Sequence, residues 1–81
     1  MRLDKFLKVA RIIKRRTVAN EACDNGRVSV NGKIARASLE VKEGDVIEVQ
    51  FGQRDLKIQV VSINEFAGKA DAAAMYREIT D

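Results

Sequence analysis

Seven of the first sixteen residues are lysine or arginine: Arg2, Lys5, Lys8, Arg11, Lys14, Arg15 and Arg16, with Asp4 the single acid among them. Fixed cations at that density suit one chemistry above others, the capture of phosphate oxygens along a nucleic-acid backbone. The bias extends further along the chain. Residues 1 to 36 hold ten Lys/Arg against three Asp/Glu, a balance of +7, whereas residues 37 to 81 hold five against nine, a balance of −4. The net charge of +3 conceals this sorting, which gives the molecule one basic surface and an acidic, solvating remainder.

Other chemistries lack the residues they need. General acid–base work near neutral pH falls mostly to histidine, and the chain has none. The one cysteine, Cys23, lies on an apolar helical face, where a small thiol serves packing. With no second thiol and no imidazole there is no metal-ligand set, and no glycine-rich phosphate loop or dinucleotide fingerprint occurs. The reading is a binding protein without cofactor or catalytic site, not an enzyme. A lone cysteine makes no internal disulfide, no apolar run approaches the roughly 20 residues that span a bilayer, and Met1-Arg2-Leu3-Asp4-Lys5 offers no signal-peptide core. A cytoplasmic protein without membrane contact is expected.

The basic residues must be held by short elements. Leu3, Phe6, Leu7 and Ala10 recur at helical spacing, which turns Lys5 and Lys8 to the opposite face with Arg2 and Arg11 on its flanks. Lys14-Arg15-Arg16 reads as a connector, and Thr17 as the N-cap of a second helix that packs through Val18, Ala19, Ala22 and Cys23 and stops at Gly26. Arg16 and Thr17 then stand beside free N–H groups, a natural place for a phosphate. Arg2 and Arg16 are expected to be exposed. Val28 and Val30 alternate with polar residues up to Asn31-Gly32, a type I′ hairpin signal followed by Lys33.

Further turns at Glu43-Gly44-Asp45 and at Gly52-Gln53-Arg54-Asp55 bound a strand over 46–51, and the longest strand is expected over 56–63. The alanine-rich tail predicts a C-terminal helix with Asp71 as its cap. The fold class is therefore α+β, two N-terminal helices packed on a small antiparallel sheet, with residues 1–64 as the RNA-binding domain and 65–81 as a C-terminal helical extension. Aromatic residues are few and Phe6 faces the core, so recognition by shape and backbone fits better than base stacking.

The run Arg2-Leu3-Asp4-Lys5-Phe6-Leu7, then Arg15-Arg16-Thr17, Ala19, Gly26, Val28, Val30-Asn31-Gly32, Ser38, Val41 and Gly44-Asp45 resembles the S-four-type RNA-binding domain, or alpha-L motif, of a small-subunit ribosomal protein. The likeness covers about residues 1 to 50, in order and at the expected spacing. Phe51-Gly52-Gln53 and the tail ending Met75-Tyr76 make the chain similar to stand-alone members of that family, the ribosome-quality-control protein P (RqcP) group and the fifteen-kilodalton ribosome-associated heat-shock group. Two positions depart from the pattern: Cys23 stands where a larger apolar residue is usual, and Arg15 where many members have serine.

The resemblance implies binding to rRNA of an obstructed large ribosomal subunit and to its peptidyl-tRNA. It implies support for a partner factor (RqcH-like) that extends the stalled chain with alanine. It carries the RNA-facing role to Arg2, Lys5, Arg11, Arg15, Arg16 and Thr17, and the hairpin role to Asn31 and Gly32; Lys8, Lys14 and Lys33 complete the expected RNA-binding set, on a monomer. Two other readings stay open: a heat-shock-type recycling factor for stalled large subunits, and a structural or assembly protein bound to rRNA. Fold alone does not choose among them.

Overall fold

Leu3, Phe6, Leu7 and Ala10 are each 2 % exposed or less, which fixes the first helix, α1 (Leu3–Val9), by its apolar stripe. The computed structural model describes residues 1–80; Asp81, the last residue of the expected extension, lies outside them. α1 ends without a glycine. Arg11 takes φ +60°, its N–H donates to the Lys8 carbonyl at 3.0 Å, and the Ile12 N–H donates to the Leu7 carbonyl at 3.0 Å. These two bonds form a Schellman cap, with Arg11 in the left-handed position that glycine usually fills. The reversal sends Ile13 into the core and leaves Lys14 and Arg15 exposed.

The second helix, α2, spans Arg16–Asp24 and starts two residues earlier than a Thr17 cap would place it. Arg15, extended at φ −119° and ψ 133°, occupies the cap position, and no side chain caps the helix. Thr17 therefore sits inside the first turn, because the capping residue must precede the helical φ/ψ run. Val18 is 48 % exposed, contrary to its expected packing role. Ala19 and Cys23, four residues apart, define the buried stripe, and Val18 is turned about 100° away from Ala19. Asn25 and Gly26, the latter at φ +78°, end the helix as expected.

The strands β1 (Val28–Val30), β2 (Lys33–Ile34), β3 (Val46–Phe51), β4 (Arg54–Val60) and β5 (Tyr76–Glu78) form one antiparallel sheet in the order β2-β1-β3-β4-β5. Register aligns Val28 with Val49, Val30 with Ile47, and Ile47 with Ile58, so buried side chains stand opposite one another on the face the helices cover. Val30 pairs with Lys33 across Asn31 (φ +53°) and Gly32 (φ +84°), the doubly positive geometry of a type I′ turn. Phe51 pairs with Arg54 across Gly52-Gln53, so that turn has two residues and β4 begins at Arg54.

The C-terminal helix is a single short turn, α3 (Lys69–Ala72), continued by a 3-10 turn over Ala73–Met75. Its cap position belongs to Gly68, and Asp71 lies inside it. Tyr76–Glu78 then joins the sheet beside β4, an outcome that alanine content does not foretell. Met75, 1 % exposed, and Ala72 anchor this return, and the Val61 and Ser62 N–H groups both donate to the Met75 carbonyl. Once Met75 is buried, a strand position beside β4 satisfies more backbone groups than a longer, isolated helix.

Candidate nucleic-acid interface

Asp4 is 2 % exposed, the one buried charged residue among those described, and it lies on α1 against α2. Its Oδ1 accepts the Lys5 N–H at 2.8 Å and the Arg2 Nε–H at 3.3 Å. Its Oδ2 accepts the Asn20 Nδ2–H at 3.2 Å and lies 3.4 Å from Arg16 Nε. Burial alone raises such a carboxyl's pKa. The hydrogen bonds from Asn20, Arg16 and the Lys5 backbone, with the Arg16 charge, outweigh burial and hold it below the usual value. Asp4 is thus an anion at neutral pH, and it draws one arginine from each side onto one site. The Arg2 and Arg16 side chains keep 48 % and 47 % of their surface exposed, so Arg2, held through Nε and Nη2, and Arg16, held through Nε, are both still open to solvent. A shallow depression lined by Asp4, Arg16, Thr17, Asn20 and Glu21 lies beside this pair.

Lys8, Arg11, Lys14, Arg15, Arg27, Lys33 and Arg36 make no ion pair among the described residues. Lys5 reaches Glu65 at 3.5 Å, which brings the loop after β4 against α1; Lys8 and Arg11 line a small hollow with Glu65 and Ala67. Arg15, as the residue before α2, is exposed beside the helix's uncapped first turn.

Lys33, on the edge strand β2, lines a separate shallow groove with Ile34, Arg36, Leu39 and Lys42. That groove ends beside Arg2, because the Leu3 N–H donates to the Leu39 carbonyl at 2.8 Å and Arg2 bridges to Glu40. The expected residues therefore fall into three groups: Arg2, Arg16 and Thr17 around the Asp4 site, with Arg15 preceding α2; Lys5, Lys8 and Arg11 along α1; and Lys33 on the hairpin. Lys14, exposed in the connector, belongs to none of these groups.

Asn31 is differently employed. Its Nδ2 donates to Asp45 Oδ1 at 3.1 Å and its Oδ1 accepts the Val46 N–H at 2.9 Å, so the side chain ties the β1–β2 turn to the start of β3. Its polar groups are used within the fold. Two residues of the site had no role in the sequence reading: Asp4, which entered as an offset to positive charge and as part of the Arg2–Leu7 run, and Asn20. The available signal was the i, i+4 spacing of Arg16 and Asn20, which puts both on one helical face.

Residues 1–47 match the model of the S4 domain family. The chain belongs to the S4 domain family. Among named relatives it is 54 % identical over 76 residues to the RQC P-site tRNA stabilizing factor of Bacillus subtilis, covering 94 % of this chain and 88 % of that one. It is 49 % identical over 81 residues to the Streptococcus pneumoniae protein of the same name, covering 100 % and 92 %. The chain is also similar to the trimeric heat shock protein 15 of Vibrio cholerae, with TM-score 0.89, 34 % identity, and coverage of 98 % and 81 %. At this identity and coverage, the likeness to the tRNA stabilizing factors extends past the S4 domain into β4 and the C-terminal return.

Proposed function

We infer that this member of the S4 domain family is an RNA-binding factor of ribosome-associated quality control. It binds rRNA and peptidyl-tRNA on obstructed large ribosomal subunits, in the cytoplasm, and supports alanine tailing of the stalled chain by an RqcH-like partner. The observation that carries the reading is the Asp4 site: two half-exposed arginines held side by side by a buried carboxylate, next to cations that have no acidic partner. Arg16, tethered through Nε, keeps its outer N–H donors for phosphate, and Arg2, held through Nε and one Nη, keeps the remaining ones, with part of the entropy of ordering already lost.

The protein acts as a monomer and performs no catalysis. A chain with this binding surface and no histidine works by preferring one state of a larger machine, here the subunit with its tRNA retained. Binding that state more tightly than the empty subunit raises its population by the ratio of the two affinities.

The test is tail length on a reporter lacking a stop codon, in a deletion strain and in an Arg16→Ala strain. Both are expected to shorten or abolish alanine tails while bulk translation continues. Normal tails in both would leave RNA binding standing and remove the quality-control role. The likeness to heat shock protein 15 favours a second reading, a recycling factor for stalled large subunits. In that case stalled subunits accumulate in the deletion strain while tails keep their length.

A further inference from the structure

Phe66 is 91 % exposed, more than any other large apolar side chain among the described residues. It stands on a turn that is fixed on both sides. The Phe66 N–H donates to Asn64 Oδ1 at 3.0 Å, and the preceding residue, Glu65, is paired with Lys5 of α1. The following residue, Ala67, packs against the core, as does Ile63 before the turn. The side chain between these anchors packs on nothing in the fold, and exposing an aromatic ring of this size opposes solubility without aiding stability. Its neighbours supply the explanation: Lys8 and Arg11 line the same hollow as Glu65 and Ala67, and Lys5 holds the turn in place.

We propose that Phe66 is a stacking platform for an unpaired base of large-subunit rRNA, with Lys8 and Arg11 receiving the flanking phosphates while Lys5 holds the turn through Glu65. A ring face beside clustered cations is the arrangement with which single-stranded nucleotides are held, the ring taking the base and the cations the backbone. The charge of the surroundings favours RNA over a protein surface, since an apolar protein partner would have to desolvate two cations, Lys8 and Arg11, and the Lys5–Glu65 pair to reach one ring. The inference rests on the RNA-binding reading above and adds a base contact to a surface otherwise suited to phosphate. It places one RNA-contacting residue beyond the 47 residues that match the S4 domain family.

The experiment measures affinity of the full chain for purified large subunits carrying peptidyl-tRNA, across a salt series, for the parent, Phe66→Ala, Phe66→Trp and Arg16→Ala. Phe66→Ala is expected to weaken binding about tenfold with an unchanged salt slope, because stacking releases no counterions. Phe66→Trp should retain parental affinity. Ultraviolet cross-linking of the bound complex, followed by mass spectrometry, should recover the peptide containing residue 66 joined to an rRNA nucleotide. Parental affinity for Phe66→Ala alongside a weakened Arg16→Ala overturns the stacking proposal and keeps the RNA-binding reading; parental affinity for both overturns the two together. Cross-links from this peptide to tRNA or to protein, without rRNA, overturn the assignment of the occupant. Equal melting temperatures of the parent and Phe66→Ala exclude misfolding as the cause of a loss.

Discussion

Arg16 Nε lies 3.4 Å from Oδ2 of Asp4, a carboxylate on the neighbouring helix whose side chain is 3 % exposed. The contact joins α1 to α2 and aims a cation at solvent in the same step. Stability and binding are therefore coupled at this site.

Asp4→Asn removes the charge that orients Arg2 and Arg16 and leaves the shape nearly unchanged. We expect a loss of about 1–3 kcal/mol in stability, the range for a buried, charge-assisted hydrogen-bond site. Affinity for large subunits should fall about fivefold although the variant carries one more net positive charge, because both arginines regain their freedom. Tighter binding would show that net charge outweighs preorganisation.

The pH dependence of that difference follows from the lowered pKa of Asp4, whose ordinary value is 3.8. A folded-state value below the unfolded one makes the contribution fully present above the unfolded pKa and lost as pH falls through the folded one. The gap in melting temperature between the parent and Asp4→Asn should stay constant from neutral pH down to about 5 and narrow below about 4. A gap that widens on acidification contradicts the assignment.

Arg11→Gly should move stability and binding in opposite directions. Arginine at φ +60° bears the crowding of a left-handed backbone, and glycine does not. After the greater freedom of unfolded glycine is subtracted, a gain of about 0.5 kcal/mol remains. Subunit binding should weaken, with the salt slope falling by about one for the lost phosphate contact. Thermal melting and salt-dependent co-sedimentation together report both effects.

Gly32→Val tests the hairpin. No atom lies within 4 Å of an added Cβ, so the cost comes from φ +84° alone. A β-branched residue there should cost about 2 kcal/mol, read as a lowered melting temperature. Asn31→Ala should also destabilise, by about 1 kcal/mol, since it strips hydrogen bonds from Asp45 and the Val46 N–H.

Cys23 is expected to resist alkylation while the protein is folded. Burial, with the charges of Asp4 and Asp24, pushes its thiol up to about 11, so little thiolate exists near neutral pH. Pulsed iodoacetamide followed by mass spectrometry should label the unfolded chain and spare the native one.

Apolar period and turn chemistry were enough to read both N-terminal helices, the Asn31-Gly32 hairpin and the concentration of cations on α1 and the α1–α2 connector. These are local features: Leu3, Phe6, Leu7 and Ala10 share a face because of helical pitch, and Asn31-Gly32 tolerates positive φ by itself. The charge asymmetry was equally legible, because side-chain identity fixes it before folding. Contacts between distant segments were not. Asp4 meets Asn20 across sixteen residues, and its conversion from a stray acid into the anchor of Arg2 and Arg16 depends on how α1 packs against α2.

The tail shows the same limit. Alanine content favours helix, yet burial of Met75 and a vacant edge on β4 turn Tyr76–Glu78 into a strand. Arg11 enters the left-handed region because Ile12 and Ile13 must reach the core within two residues, a demand the local sequence does not announce. Sequence supplied the cations and the short elements that carry them. Tertiary packing decided which cations are held and which ring, that of Phe66, is left facing solvent, because burial and ion pairing belong to residues that meet only after the chain has closed on itself.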